Sequence, residues 1–126
     1  MFKTLIVEDN ARYRLHLCST IGKLFPYLDI DAASDDQEAL LKAAESLPDL
    51  VFTTISSPLL DGLELTKRIL DFNAKTVIIA LTGEDRPGYR KAAFLSGATG
   101  YMSMDSCTAA DLLAAVECAM ASSRVH

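Results

Sequence analysis

The chain has 126 residues, of which 50% are hydrophobic and 23% charged, a composition that indicates a folded globular protein and argues against disorder. This length predicts one domain, residues 1–126, large enough to fold without a metal or disulfide. The net charge of −5 argues against direct nucleic-acid binding, because phosphate recognition depends on clustered Lys and Arg side chains.

The cysteine spacing and the hydropathy pattern indicate where in the cell the protein is located. Cys18, Cys107 and Cys118 are widely spaced and form no C-x-x-C pair, so neither a disulfide framework nor a zinc site is predicted. No apolar stretch is as long as a membrane span, and the first residues lack a signal-peptide pattern. We therefore expect a cytoplasmic protein that does not contact membranes.

Strand-like and helix-like patterns alternate five times along the chain. Short apolar, β-branched runs predict strands at residues 3–7, 28–33, 50–55, 76–81 and 101–102. Helical spacing of apolar residues predicts helices at residues 11–25, before Pro48, at residues 63–72, from Asp85 to Gly97 and after Thr108. Pro87 supports the start of the fourth helix, and Thr108 with Asp111 forms a capping-box pattern for the fifth.

These five strand-then-helix units have short connections, which predicts a parallel sheet with helices on both faces. Residues 28–33 alternate apolar with acidic side chains, as a half-exposed edge strand does, whereas residues 76–81 form an unbroken apolar run typical of a central strand. The predicted fold class is α/β, a doubly wound sheet with the flavodoxin-like strand order 2-1-3-4-5.

The stretch 49–62 has the form of a loop that carries a functional site. The predicted strand 50–55 ends at Thr54 and Ile55, a Ser56-Ser57-Pro58 turn follows, and Asp61-Gly62 begins a helix. Open α/β sheets bind ligands beyond the carboxyl ends of their strands. In the predicted order, the ends of the first, third, fourth and fifth strands gather Glu8, Asp9, Thr54, Thr82 and Met104, with Asp105 next to it.

Five motifs, weak singly and specific in this order, run along the chain: Leu5-Ile6-Val7-Glu8-Asp9-Asn10, Asp49-Leu50-Val51, Pro58-x-x-Asp61-Gly62-Leu63-Glu64-Leu65, Thr82-Gly83 and Gly97-Ala98-x-Gly100-Tyr101. Through these motifs, and over essentially its whole length, the chain resembles the receiver domain of bacterial two-component response regulators.

The resemblance implies a role for each strand end. A receiver accepts a phosphoryl group from a histidine kinase onto an aspartate at the third strand end, with Mg²⁺ held by that aspartate and an acidic pair. Glu8 and Asp9 match the acidic pair. Thr82 matches the hydroxyl that senses the phosphoryl group, and Tyr101 the aromatic residue that changes rotamer with it.

Two positions depart from the family pattern. Thr54 stands where the family has the phosphoacceptor aspartate, and a threonine hydroxyl needs a neighbouring base before it can act as a nucleophile. Met104 stands at the position of the pocket lysine, and Asp105 follows where the family usually has proline. We therefore expect Thr54 to be a small polar plug and Met104 an apolar cover over a degenerate phosphorylation pocket.

The absence of a carboxylate at position 54 also affects the expected metal binding. Mg²⁺ prefers octahedral oxygen coordination with carboxylate support, and one of three anionic ligands is missing. We expect no cofactor and weak or absent Mg²⁺ binding, with Glu8 and Asp9 as the only weak candidates. Two adjacent carboxyls without a cation should raise the pKa of one of them.

The sequence thus predicts a pseudo-receiver, meaning a receiver module that acts in two-component or phosphorelay signalling without aspartyl phosphorylation and is not an enzyme. The expected partners are a sensor kinase, another signalling protein, or a second copy of the chain. Receivers commonly meet partners through the fourth helix, fifth strand and fifth helix. Tyr89, Arg90 and Lys91 on that fourth helix are expected to be solvated.

Three alternatives stay open. A flavodoxin-like small-ligand or nucleotide-binding module is the first, although residues 8–11 lack the glycines and hydroxyls that would hold a phosphate. An enzyme is the second, although no nucleophile and base pair appears at the strand ends. The third is an active receiver with a deliberate exchange at Thr54, against which the changes at Met104 and Asp105 argue.

Overall fold

The computed structural model describes residues 2–55, 57 and 61–124. Within these residues the chain forms one parallel sheet in the order β2-β1-β3-β4-β5. The strands are β1 (Lys3–Val7), β2 (Asp29–Ala33), β3 (Leu50–Thr54), β4 (Val77–Thr82) and β5 (Gly100–Ser103). The helices are α1 (Ala11–Leu24), α2 (Asp36–Ser46), α3 (Gly62–Phe72), α4 (Tyr89–Leu95) and α5 (Ala109–Arg124). The predicted doubly wound order is confirmed.

Apolar side chains on the two faces of the sheet form two separate cores. On one face, Leu5 and Val51 pack with residues of α2, α3 and α4. On the other face, Ile6 and Phe52 pack with residues of α1 and α5. This arrangement follows from the two-residue period of a strand, which sends successive side chains to opposite faces.

The burial of each strand agrees with its place in the sheet. β2 is an edge strand, and its Asp29 and Asp31 are exposed while Ala33 is buried, as the alternating pattern predicted. All residues of β3 are buried, and all of β4 after Val77. Both strands are covered by helices on both faces, so they can be apolar throughout.

The fourth helix begins later than the sequence predicted. The prediction that Asp85 and Pro87 start it was wrong, since α4 starts at Tyr89. Gly88 precedes it with φ of 87°, a left-handed conformation that cannot belong to a right-handed helix. Asp85 therefore lies in the loop that follows β4, where its carboxylate is free to reach another element.

Helix caps fix the other loops that leave the strand ends. The Asn10 side chain accepts hydrogen bonds from the backbone N–H groups of Arg12 and Tyr13, which starts α1 directly after β1. Thr108 and Asp111 form the predicted capping box, with distances of 3.2 and 2.9 Å. Ser56 and Pro58 of the predicted turn lie outside the described residues.

Among the described residues, no helix is both long and apolar enough to cross a membrane.

Candidate functional site

Strand register brings the predicted site residues to one edge of the sheet. Val7 pairs with Thr53, Thr54 with Leu81, and Thr82 with Ser103. The residues that follow or end these strands, Glu8, Thr54, Thr82 and Met104, therefore lie in a row at the carboxyl ends, where an open α/β sheet presents its binding crevice.

Thr54 and Glu8 form a direct hydrogen bond at the centre of this row. The Thr54 hydroxyl donates to Oε1 of Glu8 at 2.8 Å, and both residues are buried, at 6% and 5% exposure. The second carboxyl oxygen of Glu8 accepts from the backbone N–H of Asn10 at 3.1 Å. Both oxygens of this buried carboxyl are therefore already hydrogen-bonded within the chain.

Asp9 is tied to the segment that follows β3. Its Oδ2 accepts a hydrogen bond from the hydroxyl of Ser57. The acidic pair therefore contacts β3 at Thr54 and the loop beyond it at Ser57. Sequence reasoning treated Ser57 only as a turn residue, and nothing in the local pattern indicates a partner nearly fifty positions away.

The pKa values of the two carboxyls in the acidic pair are shifted in opposite directions. Burial raises the pKa of Glu8 above its ordinary value, and a hydrogen bond with Asp9 raises it further. That same hydrogen bond lowers the pKa of Asp9. The prediction that one carboxyl of the pair has a raised pKa is confirmed, and Glu8 is the one that holds the proton more strongly.

Arg14 is tied to the backbone of the acidic pair. It donates from Nη1 to the backbone carbonyl of Glu8 at 2.8 Å, so this hydrogen bond goes to the main chain of that residue. The contact anchors α1 to the loop after β1.

Two carboxyls at this edge are the predicted weak candidates for Mg²⁺. Glu8 and Asp9 supply them, and their oxygens accept hydrogen bonds from Thr54, Asn10 and Ser57. In the part of the chain that the structure describes, no group of three or more His, Cys, Asp or Glu side chains lies close enough to hold a metal. Mg²⁺ prefers octahedral oxygen coordination with carboxylate support.

Gly62 lets α3 approach the end of β3 at close range. A Cβ atom at Gly62 would lie 1.9 Å from the carbonyl oxygen of Thr54, closer than any real contact. Asp61 caps the helix by accepting from the Glu64 N–H at 3.1 Å. The Asp61-Gly62 motif therefore fixes the helix against the strand end that carries Thr54.

Thr82 and Tyr101 lie on the neighbouring strands. Thr82 is fully buried, and its hydroxyl donates to the Glu84 carbonyl at 2.8 Å. The Tyr101 ring is 9% exposed, and its hydroxyl donates to Oδ1 of Asp85 at 2.6 Å. Burial and the Asp85 carboxylate raise the pKa of Tyr101 to about 12.

Arg90 is exposed, as expected of a solvated face, but it also has a specific contact. Its Cζ lies 5.0 Å from the centroid of the Tyr101 ring, within the range of a cation–π interaction. Sequence reasoning missed this contact and the Asp85 hydrogen bond. Both contacts depend on the length of the loop between β4 and α4. The sequence pattern placed the start of α4 too early and so made this loop too short.

Met104 continues the pairing of β4 and β5 beyond the strand itself. Its N–H donates to the Thr82 carbonyl at 2.7 Å, and its half-buried side chain packs against the core on the α1 and α5 face. Asp105 is exposed. The backbone of Met104 thus lies beside Thr82, at the end of the row of strand ends, while its thioether packs against the core.

Two cavities lie along the outer edge of β5. One, about 320 Å³, is lined by both polar and apolar side chains, including Asp85, Ser103 and Asp111. The other, about 410 Å³, is lined mainly by apolar side chains of β4, β5 and α5. Tyr101 lines both cavities.

The fold and this row of residues define a doubly wound α/β domain with an acidic pair at its topological switch point. The chain belongs to the response regulator receiver domain family, whose model matches residues 4–117. It is a receiver module of two-component signalling. Receiver domains in general are signalling modules that interact with sensor kinases and other signalling proteins.

Individual relatives agree with this assignment. The chain is 28% identical over 102 residues to the response regulator GacA of Pseudomonas syringae, a match that covers 81% of the chain and 48% of the relative. It is similar to the chemotaxis protein CheY4 of Vibrio cholerae, with a TM-score of 0.83, 26% identity and coverage of 94% and 98%.

A receiver domain from Clostridium thermocellum shares the fold, with a TM-score of 0.89, 23% identity and coverage of 99% and 98%. The chain spans less than half the length of the curated relatives it matches.

Proposed function

We propose that this domain is a pseudo-receiver, which transmits signals in a two-component or phosphorelay system through protein contacts that do not require aspartyl phosphorylation, and which is not an enzyme. The observation that carries this proposal is the hydrogen bond between Thr54 and Glu8. It places a buried hydroxyl, engaged with the acidic pair, at the position where the family has its phosphoacceptor.

The chemistry of phosphoryl transfer supports the proposal. The reaction depends on a positioned nucleophile, a metal and a cation that stabilise the charge on the transferring group. The expectation that no nucleophile and base pair lies at the strand ends was wrong, because the Thr54 hydroxyl lies 2.8 Å from the Glu8 carboxyl. A carboxylate is nevertheless a weak base for an alcohol unless a metal and a cation assist. Met104 supplies no positive charge in place of the family's lysine.

Weak or absent Mg²⁺ binding follows from the same contacts. To bind the ion, Glu8 and Asp9 would have to ionise fully side by side, while Thr54, Asn10 and Ser57 compete with the ion for their oxygens. The raised pKa of Glu8 opposes that ionisation. We propose that the domain works without a cofactor.

The face formed by α4, β5 and α5 is the proposed partner surface. The two cavities along β5 support this, because they give an otherwise flat strand edge a shape that a partner can fit. The proposed partners are a sensor kinase, another signalling protein or a second copy of the chain. We propose a cytoplasmic location and no direct contact with nucleic acid or membrane, in keeping with the net charge of −5.

The nucleotide-binding alternative gains no support from the loop after β1. The Asn10 side chain already caps the backbone N–H groups of Arg12 and Tyr13, the donors that a phosphate would use at the start of α1. Glu8 and Asp9 add negative charge beside them. A phosphate would have to displace the loop after β1, which carries both carboxyls, to reach the N-terminus of α1.

Incubation with acetyl phosphate and Mg²⁺, followed by mass spectrometry of the intact protein, tests the proposal. We expect no covalent phosphate on the wild type. The matched control is the double variant Thr54→Asp with Met104→Lys, which restores the nucleophile and the cation and should become labelled. Covalent phosphate on the wild-type chain, either as an ester of Thr54 or on a carboxylate, would overturn the proposal.

A further inference from the structure

Three side chains from three different elements meet at the edge of the sheet. Tyr101 comes from β5, Asp85 from the loop after β4, and Arg90 from α4. Oδ1 of Asp85 accepts a hydrogen bond from the Tyr101 hydroxyl at 2.6 Å, and Cζ of Arg90 lies 5.0 Å from the ring centroid. We call these three residues the Tyr101 cluster.

The helix that this cluster contacts has little stability of its own. α4 has seven residues, no side-chain cap at its N-terminus and no acidic residue in its first turn. Helices this short do not form in isolation, so tertiary contacts must hold α4 in place. These contacts include the buried Ala93, the half-buried Tyr89 packed against the core, and the packing of α4 on β5, where Tyr101 lies.

We propose that the Tyr101 cluster fixes residues 83–95 against β5, so that Asp85 and Arg90, and no phosphoryl group, set the position of Tyr101 and the shape of the α4–β5–α5 face. The inference rests on the proposed function, since it names what regulates the partner surface of a pseudo-receiver.

The position of Tyr101 matters because its ring lines both cavities along β5. Tyr101 lies where the two cavities meet, together with Met102 and Ala114, so its displacement changes the lining of both. Loss of its contacts with Asp85 and Arg90 would also weaken the hold on α4, which has no side-chain cap at its first turn. The position of Tyr101 therefore affects both cavities and the helix beside them.

The hydrogen bond to Asp85 is the part of the cluster that mutation can isolate. A hydrogen bond from a hydroxyl to a carboxylate is stronger than one between two neutral groups. Without Asp85, the Tyr101 hydroxyl loses this charged acceptor. Loss of such a bond corresponds to a change of roughly tenfold or more in a local opening equilibrium.

Amide hydrogen exchange of the full chain, without Mg²⁺ or phosphodonor, tests the inference. Asp85→Ala and Tyr101→Phe should each speed exchange of the amides in residues 83–95 by roughly tenfold, with no change in β3. Because the two changes remove the same bond, the double variant should match either single variant. Asp85→Asn keeps an acceptor for the hydroxyl and should exchange more slowly than Asp85→Ala.

Glu84→Ala is the matched control. Glu84 lies in the same loop and pairs with Arg86 at 3.3 Å, so its loss removes a loop carboxylate without touching the hydroxyl of Tyr101. Wild-type exchange in Asp85→Ala, equal acceleration in Glu84→Ala, or full additivity in the double variant would each overturn the inference. Labelling of the wild type by acetyl phosphate overturns the proposed function instead, so the two failures are distinguishable.

Discussion

The hydroxyl of Thr54 lies 2.8 Å from Oε1 of Glu8 and donates a hydrogen bond to it. This bond connects the end of β3 to the loop after β1, across two adjacent strands of the sheet. In an active receiver these two positions would both carry negative charge and would need a metal between them. Here the neutral Thr54 hydroxyl faces the acidic pair and provides a hydrogen bond to Glu8 from within the chain.

Removal of this donor should destabilise the protein. Thr54→Val keeps the shape of the side chain but leaves a buried carboxyl oxygen without its partner, which should lower the free energy of unfolding by about 1–3 kcal/mol. The pKa of Glu8 should rise further, since the Thr54 hydroxyl lowers it. Urea unfolding followed by circular dichroism measures the effect. Thr54→Ser, which retains the hydroxyl, should lose much less, and equal losses would contradict the account.

The acidic pair should give the stability a distinct dependence on pH. A raised pKa for Glu8 means that its contribution is fully present below 4.5, its ordinary value, and is lost as the pH rises through the folded-state pKa. Asp9 has a lowered pKa, so its contribution is present above 3.8 and is lost as the pH falls.

Glu8→Gln separates the two contributions. The variant cannot ionise at position 8, so the loss of stability that accompanies the rise in pH above about 4.5 should be smaller than in the wild type. Unfolding curves collected from weakly acidic to neutral pH for both proteins measure this difference. Parallel pH profiles would show that Glu8 does not titrate as described.

Gly62 should be intolerant of any side chain. The Cβ of Gly62→Ala would lie 1.9 Å from the Thr54 carbonyl oxygen, a backbone atom that cannot move without shifting β3 or α3. We expect a loss of about 3 kcal/mol or more in the free energy of unfolding. Gly83→Ala is the control, because nothing lies within 4 Å of its Cβ. A similar effect of both substitutions would argue against the close approach.

Leu47 is strained at the end of α2. It has φ of 48° and ψ of 67°, the left-handed conformation, which disfavours a side chain by about 1–2 kcal/mol. Its side chain is 50% exposed, so little packing is lost when it is removed. Leu47→Gly should therefore raise the free energy of unfolding by about 1 kcal/mol, measured as an increase in Tm. Leu47→Ala keeps the strained Cβ and should give no increase.

Much of the fold could be predicted because local patterns and the sheet agree. The alternation in β2 and the continuous apolar runs of β3 and β4 report directly on edge and central positions. The strand order alone then brings Glu8, Thr54 and Thr82 to one edge of the sheet. Their side-chain contacts are not needed for that prediction.

The contacts that position the site residues could not be predicted in the same way. Asp85 followed by Pro87 looks locally like a helix start, yet its partner is Tyr101, sixteen positions later on another strand. Ser57 likewise reads as a turn residue until its contact with Asp9 is seen. Such side-chain pairs depend on the exact path of a loop, which carries no periodic signal.

An NMR titration of the wild-type domain with beryllofluoride at constant Mg²⁺ tests directly whether this edge of the sheet binds a phosphoryl analogue. We expect the amide resonances of Glu8, Thr54 and Tyr101 to stay in place as beryllofluoride is added. Saturable shifts of these resonances with beryllofluoride would show an intact phosphoryl-binding site and contradict the proposed function.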